Sequence, residues 1–131
     1  MKRILLLTHP VRTDMRGKIL SLVLAVFASS ASAQDRILDS ATFLDSVLDK
    51  TLGLALFGVR LRIYEDGRIE GKGFGRPVTG LWRWEEGYFC RTLTWGTRDL
   101  GPNCQEVVLD FGKIEFTSDR GTGPSARFSL K

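Results

Sequence analysis

Histidine is missing from residues 34–131, and the one histidine of the chain is His9. Without it this stretch cannot hold a Ser-His-Asp or Cys-His nucleophile, a His-ligated zinc or an imidazole proton shuttle. Any catalysis there would rest on carboxylates, lysine, tyrosine or arginine. Two acidic pairs are candidates, Glu65-Asp66 and Glu85-Glu86. A two-carboxylate hydrolase holds its acids about 5–9 Å apart across a cleft. Adjacent acids in turns do not provide that geometry, so no catalytic residue is assigned. Gly71-Lys72-Gly73-Phe74-Gly75 has the look of a phosphate-cradling loop. A dinucleotide fingerprint needs a helix straight after it, and Arg76-Pro77-Val78-Thr79-Gly80 does not start one. Alternate glycines in a strand fit a bend in a barrel wall.

Aromatic residues crowd the stretch 82–95, with Trp82, Trp84, Tyr88, Phe89 and Trp95 interleaved by Arg83 and Arg91. Such a surface can bind sugars, bases or a protein hot spot. Trp82 and Trp84 share one strand face, as do Phe89, Leu93 and Trp95, and that spacing favours core. The candidate binding surface is narrowed to Arg91, Trp95, Arg98 and Asp99, beside the glycine-containing stretch 96–103. Arginine outnumbers lysine in 34–131. Arg60, Arg62 and Arg83 fall on strands, where Glu70, Glu106 and Asp110 can answer them across the sheet; a basic cavity for an anionic ligand is the alternative.

Cys90 and Cys104 are the only cysteines. An even count in a small exported domain implies a disulfide, closing a loop of about 15 residues worth roughly 3 kcal/mol by chain entropy. No CxxC spacing and no histidine accompany them, so neither a metal nor a redox pair is expected.

The elements that must position these residues follow from periodicity. Phe43, Leu44, Val47 and Leu48 recur at helical spacing within 34–52, with Asp39 or Ser40 as cap and Gly53 as stop. Strands then alternate: Val59–Tyr64, Ile69–Phe74, Thr79–Glu85, Tyr88–Trp95, Cys104–Phe111, Ile114–Thr117 and Ala126–Leu130. Glu65-Asp66-Gly67 and Glu86-Gly87 are turn signals, and 96–103 and 118–124 read as loops. Short connections make successive strands antiparallel neighbours. The fold class expected is mainly β: an antiparallel meander of about seven strands forming a small barrel or half-barrel, with one N-terminal helix.

The N-terminus has the three parts of a secretion signal. Met15-Arg16-Gly17-Lys18 is basic, Ile19–Phe27 is apolar apart from Ser21, and Ala31-Ser32-Ala33 fits the A-x-A cleavage rule. The apolar run falls short of the roughly 20 residues of a membrane span, so no span is expected in the mature form. Residues 1–33 are read as signal peptide, with Met15 an alternative start, and 34–131 as one periplasmic or secreted domain. The formal net charge of +4 resides in Lys2, Arg3, Arg12, Arg16 and Lys18 against Asp14. The rest is balanced, which removes the electrostatic case for nucleic acid.

One resemblance can be placed on particular residues. Asp66-Gly67-Arg68-Ile69-Glu70-Gly71, Gly87-Tyr88-Phe89-Cys90-Arg91, Trp95-Gly96, Asp99-Leu100-Gly101, Asn103-Cys104-Gln105 and Phe116-Thr117-Ser118-Asp119-Arg120-Gly121 resemble a group of small exported bacterial proteins labelled dihydrodipicolinate reductase. It covers most of residues 41–130. The label implies a pyridine-nucleotide reductase, and the resemblance carries no catalytic motif onto these residues. Such an enzyme needs parallel βαβ units of about 30 residues each, and the meander leaves no room for them. The label is therefore read as a misnomer and no cofactor is expected. The expected function is a non-enzymatic binding module for a small ligand or a protein partner, with an enzyme as the alternative.

The signal reading predicts cleavage between Ala33 and Gln34. N-terminal sequencing of the exported protein should begin at Gln34; a mature form that keeps Ile19–Phe27 would make that segment an anchor.

Overall fold

The structure, a computed structural model, describes residues 34–131; the segment read from the sequence as a signal, with its expected start and cleavage site, lies outside the described residues. In chain order the elements are β1 (Asp35–Arg36), α1 (Ser40–Val47), β2 (Leu52–Leu54), a 3-10 turn (Ala55–Phe57), β3 (Val59–Ile63), β4 (Arg68–Gly73), β5 (Arg76–Glu85), β6 (Tyr88–Trp95), β7 (Arg98–Asp110), β8 (Lys113–Thr117), a helical turn (Ser118–Gly121) and β9 (Ser125–Leu130). Strands β2 to β9 close an antiparallel barrel in the order β7-β6-β5-β4-β3-β2-β9-β8, with β8 returning to β7. β1 lies outside the ring, pairing Asp35 and Arg36 with Leu109 and Val108 of β7.

Alternation sets the two faces of the wall. On β3, Ile63 is buried and Val59 and Leu61 are half-buried, whereas Arg60 and Arg62 are exposed. Ile69, Phe89, Val107, Ile114, Phe116 and Phe128 are part of one buried interior. Two glycines let the wall coil tightly. A Cβ on Gly71 would stand 2.0 Å from the Arg60 carbonyl oxygen, and one on Gly80 would stand 2.1 Å from that of Thr92. Of the alternate glycines of β4, Gly71 thus serves close approach, whereas Gly73 has room for a Cβ, and Phe74-Gly75 forms the left-handed turn into β5.

One end of the barrel is filled by α1. Asp39 caps it, accepting from the Thr42 amide at 2.8 Å and the Thr42 hydroxyl at 2.9 Å, and these bonds hold its carboxyl below the ordinary range. Phe43, fully buried, sits 5.0 Å from Phe89, 5.3 Å from Trp84 and 5.4 Å from Trp82 between ring centroids. The two tryptophans are anchored by their indole N–H groups, Trp84 donating to the Leu38 carbonyl and Trp82 to that of Tyr64. The Trp82, Trp84 and Phe89 part of the aromatic cluster is thus core.

Several expectations are corrected. The barrel has eight strands rather than about seven, because Leu52–Leu54 is a strand between β3 and β9. Only three residues long and without an alternating run, it gives no periodic signal. The helix is confined to Ser40–Val47, ending at Leu48 before Asp49 turns left-handed, so Gly53 is strand and not a stop. The stretch 96–103 is no loop: the chain turns at Gly96-Thr97 and β7 starts at Arg98. Pro102 tolerates the strand because a register shift lies beside it, between Thr92 and Thr94 of the partner.

The barrel's polarity is that of a water-facing wall. Exposed strand positions carry Arg60, Arg62, Arg68, Lys72 and Arg83, the reverse of a lipid-embedded barrel, which is apolar outside. No helix among the described residues is long and apolar enough to cross a membrane.

Cys90 and Cys104 stand directly opposite one another on β6 and β7 and are joined by a disulfide. Cys90 is buried. With 14 residues of separation, the bond is worth roughly 3 kcal/mol by chain entropy. The Cys90→Ser, Cys104→Ser double variant should melt about 10 °C lower or more. A calorimetric scan reads this, and an unchanged curve would deny the bond a stabilising part.

Candidate functional site

Phe89 and Phe116, whose ring centroids lie 5.2 Å apart, form a layer in contact with Phe43 on one side. They also line a cavity of about 160 Å³ inside the barrel. Its other walls come from Leu52, Leu61, Ile63, Ile69, Leu93, Ala126 and Phe128, and its polar groups from Arg91 and Gln105. The size follows from the strand count, since an eight-stranded barrel is just wide enough to be filled by side chains or to hold one small ligand.

Arg91 is the unusual member. It is half-buried, and removal from water pulls its pKa below the ordinary arginine value, although a guanidinium stays charged in proteins. Its Nη1 donates to the Gly101 carbonyl at 3.0 Å. Among the described residues no carboxylate lies within ion-pair distance of it. The Gly101 carbonyl is presented by the irregularity in β7: Gly101 takes a left-handed φ of 70°, and its amide donates to Asp99 Oδ1 at 2.8 Å. Asp99 thus holds the turn that holds Arg91.

Trp95 stands at the mouth of the barrel. Its Nε1 donates to the Gly73 carbonyl at 2.6 Å, and the Arg76 guanidinium lies 4.9 Å above its ring. Phe74 packs edge-on against it at 6.0 Å, and Phe57 follows at 5.7 Å from Phe74. Arg98 is the register partner of Trp95 and is exposed. Of the four residues singled out in the sequence, Arg91 reaches the cavity, Trp95 and Arg98 stand at the rim, and Asp99 positions.

Four participants were missed as members of a loop or a plain strand. Asn103 Nδ2 donates to Asp119 Oδ1 at 2.8 Å, and the Asp119 amide donates back to Asn103 Oδ1 at 2.9 Å. Gln105 Nε2 donates to Ser118 Oγ at 3.2 Å. These bonds dock the Ser118–Gly121 turn on β7 beyond the end of β8 and support left-handed backbone at Asp119 and Arg120. The polar pair Asn103 and Gln105, alternating along a strand, was the available signal. Tyr88 lies outside the core, with Arg36 and Arg120 each 5.0 Å from its ring.

The arginines only partly follow the expected cross-strand pairing. Arg83 pairs with Glu85, and Glu70 is bound by Arg68 on its own strand. The register partner of Arg60 is Lys72, a like charge, rather than an acid. Glu85, Cys90 and Cys104 come together, but two sulfurs tied in a disulfide offer no thiolate, so the trio makes no metal centre.

Comparison with known proteins finds no matching family model, no similar curated protein and no similar solved structure.

Arg98→Ala should leave the melting temperature within about 2 °C, as for a surface change worth under roughly 0.5 kcal/mol. Trp95→Ala should lower it clearly more, because the indole hydrogen bond and the Phe74 and Arg76 contacts go together. Equal effects in paired melting curves would place Trp95 outside the fold's support.

Proposed function

We propose that residues 34–131 are an exported, periplasmic or secreted, non-enzymatic binding module that takes a small ligand with an apolar body and an anionic head into the barrel. The observation that carries this reading is Arg91, a half-buried guanidinium without a carboxylate partner on the wall of a cavity whose lining is otherwise apolar apart from Gln105. Burying a charge costs free energy unless it is paired, and a carboxylate would answer the guanidinium with two parallel hydrogen bonds. A cavity near 150 Å³ is of the scale that takes a benzene ring, so the body is a small ring or a short chain.

The disulfide supports an oxidising compartment, in line with the signal segment. Non-enzymatic use is supported by the chemistry of the lining, which offers one cation and one amide and no general base. The alternative, a pyridine-nucleotide reductase, is disfavoured because every strand pairing is antiparallel, whereas a dinucleotide domain is built on parallel strands.

Titration calorimetry with benzoate and octanoate tests the reading. Saturable binding is expected, weakened about tenfold or more by Arg91→Gln, since hydrogen bonds to a charged group contribute about 1.5–3 kcal/mol. Absence of binding by both acids, or equal binding by the variant, would remove the proposal. Saturable micromolar binding of NADPH would favour the reductase instead.

A further inference from the structure

Charge and apolar surface are distributed unequally between the two ends of the barrel. The described ion pairs join Arg36 to Glu106, Arg68 to Asp66 and Glu70, Arg83 to Glu85, Arg120 to Glu86, and Arg127 to Asp110. None involves the mouth. There Arg60, Lys72, Arg76 and Arg98 are all exposed and have no carboxylate within ion-pair distance among the described residues. Arg60 and Lys72 are moreover direct cross-strand partners. Like charges directly opposite in a sheet destabilise it, so this pair weakens the wall unless an external anion answers it. At the plugged end, by contrast, Asp35, Asp39, Asp45, Asp49, Glu65 and Asp66 lie in β1, on or beside α1 and in the β3–β4 turn, in company with Arg36, Lys50 and Arg68.

The same mouth exposes apolar side chains. Leu56 is 88% exposed, Phe74 64% and Phe57 48%. Leu56 and Phe57 lie in the 3-10 turn and Phe74 in the β4–β5 turn. Three cations occupy strand positions just behind those turns: Arg60 is the second residue of β3, Lys72 the last but one of β4 and Arg76 the first of β5, while Arg98 opens β7 behind the neighbouring β6–β7 turn. The Phe57–Phe74–Trp95 contacts bind the two turns and β6 into one patch.

We propose that this rim docks on an anionic phospholipid surface, with Leu56, Phe57 and Phe74 entering the headgroup–acyl boundary and the four cations meeting the lipid phosphates. The layering is what selects a bilayer over a protein partner. Apolar groups lead and cations follow, in the order in which a membrane presents acyl chains below charged headgroups. Each basic group close to an anionic leaflet raises binding roughly fivefold, and the aromatic tips add apolar burial. Phe111, at the opposite end, is 87% exposed but has Asp110 as chain neighbour and no aromatic companion. This inference is independent of the ligand reading, although a mouth held against lipid would open the barrel toward an amphiphile.

Co-sedimentation of the full chain with vesicles tests it. The vesicles contain phosphatidylglycerol with phosphatidylethanolamine, or phosphatidylcholine alone. Binding to the anionic vesicles is expected, falling steeply with salt, and little to phosphatidylcholine. The Arg60→Glu, Lys72→Glu variant should bind at least about tenfold more weakly, and the Leu56→Ser, Phe74→Ser variant should also lose binding. Phe111→Ser should bind as the parent does. All forms carry the same residues 1–33, so differences among them report the rim, and matching melting curves show that each is folded. No preference for anionic vesicles would overturn the proposal, as would full binding by both rim variants or equal loss in Phe111→Ser. So would a dimer in gel filtration that the Leu56→Ser, Phe74→Ser variant abolishes without any vesicle binding, since a second copy would then own the surface.

Discussion

Closure of the sheet on β7 is the constraint from which the rest of the structure follows. Its 13 residues pair with β6 through the first part and with β8 through the last, while β1 extends the edge past the start of β6. A strand shared in this way closes the ring, although residues 98–105 of β7 keep a strand partner on one side only; closure limits the edge open to intermolecular pairing. It also fixes the width of the interior at eight strands. The disulfide is placed where β6 and β7 are already opposite, so it secures the hairpin through which β7 joins the ring.

A closed interior must be filled, and this chain fills it unevenly. Phe43 brings α1 down on Trp82, Trp84, Phe89 and Phe116 and is itself fully buried. Beyond this layer a cavity remains, walled by Leu, Ile and Phe side chains with Ala126 as the smallest member. Arg91 is the one charged residue that projects into this space, and its length lets it reach the Gly101 carbonyl while remaining half-buried.

The Asp99–Gly101–Arg91 linkage shows how an irregular strand serves a site. A regular β7 would have run its carbonyls along the ladder. The register shift frees the Gly101 carbonyl for a guanidinium and spends a carboxylate, Asp99, on holding the turn rather than on neutralising the cation. At the mouth, Arg60, Lys72, Arg76 and Arg98 stand without an ion-pair partner among the described residues, beside aromatic tips.

The sequence by itself determined most of the wall. Strict alternation in Val59-Arg60-Leu61-Arg62-Ile63 and in the segments around Trp82 and Phe89 specifies which face is inward, because a strand has a period of two and a one-residue slip would expose the whole apolar set. Asp39 as cap, the bending glycines and the Cys90–Cys104 pairing were legible for similarly local reasons. What only the tertiary structure decided was everything that depends on residues distant in the chain. Leu52–Leu54 is a strand only because β3 and β9 receive it on either side. Residues 98–103 are strand because β6 offers a partner, despite Gly101 and Pro102. Arg91, Trp95, Arg98 and Asp99 could be singled out by type, but their division into a cavity cation, a rim pair and a positioning acid came from the register of β6 and β7. Asn103 and Gln105 found Asp119 and Ser118 only once the barrel had closed, since hydrogen bonds across 16 and 13 positions leave no periodic trace in the sequence.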